Sequence, residues 1–132
     1  MTTLTGFVDV EALLLAFFGL TIPSARSLTI TPSDLEGQLP VIQVNRIGGG
    51  DTVPSLDRCL VDIEAYDKLR PDAKSLAAQI RSALRYKAPG FSALGASITD
   101  VVTSSAPAER PYKNTNLFRI GATYEIGLHN HQ

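Results

Sequence analysis

Histidines, a lone cysteine, paired carboxylates and a run of glycines are the parts of this sequence that chemistry could use. The two histidines, His129 and His131, lie in the final four residues, where chains usually fray. A metal centre needs several rigidly held ligands, and His129-Asn130-His131 supplies two on a mobile end, so no metal site is expected. Asp62 and Glu64 stand at i and i+2 and share one face of a strand, the spacing of a carboxylate pair. Carboxylates on a strand's polar face are mostly solvated, and no general acid–base role is expected from them. The serines have no G-x-S-x-G context and no histidine placed to activate them. Cys59 falls on the apolar face of a strand, where a buried thiol is inert. Gly48-Gly49-Gly50 invites a phosphate-loop reading, but Asp51-Thr52-Val53-Pro54-Ser55 follows, without the lysine or the helix such a loop needs. A flexible inter-strand loop is the better reading. No catalytic residue, cofactor or metal is expected.

The bounds are consistent with that. A chain of 132 residues and 14.2 kDa has the size of a single domain, taken as residues 1–132. Twelve basic and thirteen acidic residues leave a net charge of −1, which gives no footprint for gripping nucleic acid. It does not prevent a protein from letting DNA pass. One cysteine excludes an intrachain disulfide framework and suits a reducing compartment.

Val8 to Leu20 is apolar apart from Asp9, Glu11 and Gly19, and the first basic residue is Arg26. A secretory signal would carry positive charge before the apolar run, and a membrane span needs about 20 residues, so neither is expected. A helix fits better, with Asp9 as N-cap, Glu11 in the first turn, Gly19 as a left-handed stop and Pro23 preventing resumption. Val10, Leu13, Leu14, Phe17 and Phe18 form its apolar stripe. Ala12, Leu15 and Ala16 leave little polar face opposite, so the helix is buried either within the subunit or partly by a neighbour.

Arg26–Thr31 reads as a weak strand and Pro32–Pro40 as an exposed loop. Val41–Ile47 is a β-branched strand ending at the glycines, and Asp57–Tyr66 is the next, with Cys59, Val61, Ile63 and Ala65 on its apolar face. Pro71 opens a second helix, whose Ala73, Leu76, Ala77, Ile80, Ala83 and Leu84 repeat at helical spacing. Lys74, Arg81 and Arg85 lie off that face and read as solvated. Pro89-Gly90 ends the helix. A strand follows at Ala96–Thr103, then a polar connection at Ser104–Asn116, then a long alternating strand with Phe118, Ile120, Ala122, Tyr124, Ile126 and Leu128 on one face. The predicted class is α+β: a mixed or antiparallel sheet of four to five strands, with two helices packed mainly on one face.

Several of these segments resemble the tail terminator (tail completion) proteins of long-tailed bacteriophages, those of actinobacterial phages above all. The carrying residues are Arg46, Gly48 and Gly49, reached from an apolar strand, then Asp57, Arg58, Val61, Asp62, Ile63, Glu64 and Tyr66, leading into an Ala-rich helix, "AKSLAAQIRSALR". The likeness covers roughly residues 8 to 128 in element order and is specific over 40 to 86. The wholly apolar first helix and the Pro-containing segment Ser104–Asn116 depart from the pattern. The resemblance implies a structural virion protein, assembled in the bacterial cytoplasm. It would form a six-membered ring on the head-proximal end of the tail tube and end tube growth. Its partners would be further copies of itself, the major tail tube protein and the head-completion (stopper) protein, with DNA passing through the lumen. Two other readings stay open: another neck component such as the stopper, and a small α+β ligand-binding or enzymatic domain using a cleft beside Gly48–Gly50.

With no catalytic chemistry expected, function is sought in surfaces. Gly48–Leu56 spends nine residues on a link between neighbouring strands where about two to five suffice, and Ser104–Asn116 is longer. Gly48, Gly49, Gly50, Asp51, Arg110, Tyr112 and Lys113 are therefore the candidate interface residues. Both segments are expected to be mobile until neighbouring copies order them.

Overall fold

In a computed structural model, which describes residues 4–131, the chain builds an α+β structure with two helices and a six-stranded mixed sheet. Helix α1 spans Val10–Thr21. The Asp9 side chain accepts the Glu11 N–H at 2.9 Å, which satisfies one of the free donors of the first turn. The expected left-handed stop at Gly19 does not form. The helix runs on through Thr21, and Ile22 closes it by donating its N–H to the Phe18 carbonyl. Packing explains the extra turn: Ile22 is itself buried, so continuing the helix adds a core contact. The stripe Val10, Leu13, Leu14, Phe17 and Phe18 is buried, whereas Ala16, Gly19 and Leu20 face outward. Part of this apolar helix is therefore uncovered within the subunit.

Strand β1 (Arg26–Leu28) pairs in parallel with β2 (Val41–Val53), and β3 (Leu56–Asp67) runs antiparallel to β2. Helix α2 (Arg70–Tyr86) carries Pro71 in its first turn and buries the six residues that its period marks. After it come β4 (Ser92–Ala93), β5 (Ala96–Glu109) and β6 (Phe118–Asn130). The spatial order is β1-β2-β3-β6-β5-β4. The sixth strand is β4, whose two residues are too few to show a period.

Alternation decides the two faces. Cys59, Val61, Ile63 and Ala65 of β3 pair with Ile126, Tyr124, Ala122 and Ile120 of β6, and all are buried under the helices. Both helices pack on this face and share one main apolar cluster. A smaller cluster holds Leu35, Val41, Tyr66 and Leu117, with Tyr112 packed against it. It lies at the Tyr66 end of β3, where the segments around residues 35 and 112–117 close over the sheet.

The sequence reading places loops at Gly48–Leu56 and Ser104–Asn116, and the structure corrects both. Gly48, Gly49 and Gly50 pair with Leu60, Cys59 and Arg58, so β2 continues through the glycines to a tight turn at Pro54-Ser55. β5 likewise continues through Ser104–Glu109 against β6, with register shifts on either side of Ser105. Bulges let both strands absorb extra residues without leaving the sheet. β6 in turn runs to Asn130, so His129 sits in a strand and not on a frayed end.

Candidate functional site

Among the described residues, most polar chemistry lies on the sheet face opposite the helices. Arg58 of β3 reaches across β6: Nε meets Glu125 Oε1 at 3.0 Å, and the guanidinium grips Asp100 of β5 at 3.0 and 3.1 Å. Both carboxylates raise the Arg58 pKa, and Asp100 is held below the ordinary carboxylate value by Arg58. Further along, Arg110 lies 3.3 Å from Glu64 and 3.6 Å from Asp62, and Arg119 approaches Glu64 at 3.4 Å. Thr123 donates its hydroxyl proton to Asp62 at 2.5 Å. The carboxylate pair at Asp62 and Glu64 is thus neutralised by two arginines and a hydroxyl. Asp62 Oδ1 and Glu64 Oε1 are occupied as acceptors and Glu64 Oε2 is buried beside Arg119, which suits scaffolding better than proton transfer.

Two glycines make room for this arrangement. A Cβ on Gly121 would meet Glu64 and the Arg110 side chain, and one on Gly127 would meet Asp100, Thr99 and Arg58. Glycine inside a strand often marks such close approach. That signal was present in "RIGATYEIGLH", where Gly121 and Gly127 share the face of Arg119 and Glu125.

The glycines of β2 do something else. Gly49 has φ +112°, and a side chain there would strike the Arg58 carbonyl, so this position needs glycine for the bulge. Beside it, Arg46 holds the strand edge. Its two terminal nitrogens each meet an Asp57 carboxylate oxygen at 2.7 Å, and its Nε donates to the Gly48 carbonyl at 2.9 Å. Its backbone N–H donates to Glu11 Oε2 at 2.7 Å, which ties α1 to the sheet. Asp57 is buried, and the Arg46 hydrogen bonds keep its pKa below the ordinary value. Next to it, burial pushes the Cys59 thiol up to about 12, which makes it unreactive, in line with the sequence reading.

The candidate interface residues do not converge. Gly48, Gly49, Gly50 and Asp51 are exposed on β2, near the Pro54-Ser55 turn. Tyr112 lies at the opposite end of β3, edge-on to Tyr66 with centroids 5.5 Å apart. From Cys59, the partner of Gly49, to Tyr66 is roughly 23 Å at about 3.3 Å per residue. Arg119 lies over the Tyr112 ring at 5.6 Å, so both Arg110 and Tyr112 are engaged within the subunit. Lys113 remains exposed.

A cavity of about 540 Å³ opens between residues 31–36 and 112–114, where Asn114 Nδ2 donates to Glu36 Oε1 at 2.5 Å. Its rim is polar, with Asp34, Glu36 and Lys113, and it contains no thiol or histidine. No cluster of three or more metal-ligating residues occurs among the described residues. His131 Nε2 lies 2.7 Å from Ser97 Oγ, a pairing that the sequence reading did not foresee because β5 and the chain end are far apart in sequence. Both groups sit at the surface, and the further contact of Ser97 is another hydroxyl, Ser92, at 3.0 Å, with no carboxylate among the described residues hydrogen-bonded to the imidazole. Among the described residues, no helix is long and apolar enough to cross a membrane.

These features define an α+β chain with one helix-covered face and one ion-paired face. No protein-family model matches it, and a comparison with curated proteins gives no significant match.

Proposed function

We propose that this protein is a structural component of a long-tailed bacteriophage, a tail terminator that caps the head-proximal end of the tail tube. The carrying observation is the order of elements: helix, sheet arm with the Arg46-Gly48-Gly49 segment, Asp57–Tyr66 strand, Ala-rich helix, long alternating strand. That is the order of the terminator proteins this sequence resembles. In this reading, six copies form a ring that contacts the major tail tube protein on one side and the head-completion protein on the other. The near-neutral chain suits a lumen through which DNA passes without being retained. The ion-paired face and the uncovered part of α1 supply surfaces for such contacts.

Electron micrographs of particles assembled without the protein test this. Over-long, irregular tails are the expected result. Tails of normal length that lack heads would overturn the terminator reading in favour of a stopper, and normal infectious particles would overturn both.

A further inference from the structure

Among the described residues, two exposed apolar features lie at opposite ends of α1. The first is the segment ahead of the helix, where Leu4 is 96% and Phe7 49% exposed. The second is a groove of about 430 Å³ between the end of α1 and α2, floored by Ile22, Ala78 and Ala83 and walled by Tyr86, itself 85% exposed. We propose that the arm of one copy, Leu4–Val8, seats Leu4 and Phe7 in this groove on the next copy.

The arm cannot fill its own groove. Val8 is pinned at the start of α1, where its N–H donates to Asn130 Oδ1 at 2.7 Å. The groove lies beside Thr21 and Ile22, and the twelve residues of α1 separate the two by about 18 Å at 1.5 Å per residue. Phe7 precedes the pin by one residue, a reach of about 3.8 Å between Cα atoms. Only another molecule can bring a Phe7 to the groove.

Charge agrees with this occupant. Lys87 is the charged residue among those lining the groove, and the first charge after the arm is the exposed carboxylate of Asp9, Glu11 beyond it being tied to the Arg46 N–H. The sheet edges offer less. Glu11 accepts the Arg46 N–H, Arg46 donates to the Gly48 carbonyl and Arg85 donates to the Val101 carbonyl, so groups that an added strand would use are already taken. Register shifts interrupt the rest of β5, where Pro107 has no N–H to donate. Arm and groove are different patches, so the contact is head-to-tail and either closes a ring or propagates. The inference rests on the ring reading for the number of copies, and on geometry for the contact.

The test is a Phe7→Cys/Ala78→Cys chain, oxidised with glutathione disulfide at high micromolar concentration; Cys59 is buried and stays out of the exchange. A ladder of disulfide-linked multimers is expected. A cross-link within one chain, or no cross-link, overturns the proposal. In sedimentation, Leu4→Ser/Phe7→Ser and Ala78→Arg should each weaken association about tenfold or more while leaving the thermal unfolding midpoint unchanged. Unchanged association in both variants also overturns it. The two proposals fail separately: a ladder from a protein that does not cap tails sinks the terminator reading alone, and tail capping without a ladder sinks the arm contact alone.

Discussion

The two faces of the sheet are built from the same strands by opposite means. Under the helices, β3 and β6 present Cys59, Val61, Ile63, Tyr124 and Ile126, closed off from solvent. On the other side, alternate residues of the same strands present Arg58, Asp62, Glu64, Arg119 and Glu125, tied in pairs and about a third exposed or less where they are arginines. Burial of apolar surface is worth about 1.5–3 kcal/mol per large side chain, whereas a partly exposed ion pair contributes about 0–1 kcal/mol. Stability is therefore concentrated on the helix side. The paired side fixes how the arginines lie and leaves a surface of nearly balanced charge at little cost.

The comparison predicts its largest effect at Ile80, which is 2% exposed in the main cluster beside β3 and β6. Ile80→Asp buries a carboxylate with no partner, which costs several kcal/mol and should leave the chain unfolded. Circular dichroism across a urea titration measures this. A cooperative transition near the wild-type midpoint would mean that the covered face is not the source of stability.

Next comes a buried ion pair on the covered face. Asp57 is 4% exposed and is held by both terminal nitrogens of Arg46. Asp57→Ala leaves the guanidinium, itself a third exposed, without its partner, and should cost about 2 kcal/mol, less than a fully buried pair would. Its pH dependence has a definite sign. The folded-state pKa of Asp57 is lowered from 3.8, so its contribution is full above that value and is lost as pH falls through the acid range below it. Wild type should therefore lose stability below about pH 4 more steeply than Asp57→Asn. Parallel acid-unfolding curves would remove this pair from the account.

How much of this was legible follows from range. The Asp9 cap, the α2 face and the β6 alternation were readable because each depends on residues within a few positions of one another. The glycine strand was not. Gly48–Gly50 has the composition of a loop, and its strand state comes from pairing with Leu60–Arg58 and from Arg46 bonding to Gly48. Ser104–Glu109 lacks apolar alternation because it is largely exposed at the sheet's edge, so only its pairing with β6 reveals it. Arg110 and Tyr112 looked like free interface residues for the same reason: their partners, Glu64 and Tyr66, are 46 positions away in sequence. Long-range contacts overrode local composition at each of these sites.

The smallest effect is the most discriminating for the paired face. A Cβ on Gly127 would meet Asp100, Thr99 and Arg58, all side-chain atoms that can move aside. Gly127→Ala should therefore cost only about 1 kcal/mol, by pushing apart a pair that is itself worth about 0–1 kcal/mol. Arg58→Ala should cost a similar amount, since Arg58 is a third exposed and its partners are more so. If Gly127 is glycine because Arg58 must lie across it, the two losses are the same loss. The double variant should then be no less stable than Arg58→Ala, a coupling that a double-mutant cycle in urea resolves. Fully additive costs would show that Gly127 serves the backbone of β6, and that the ion pairs merely occupy space which the strand left open.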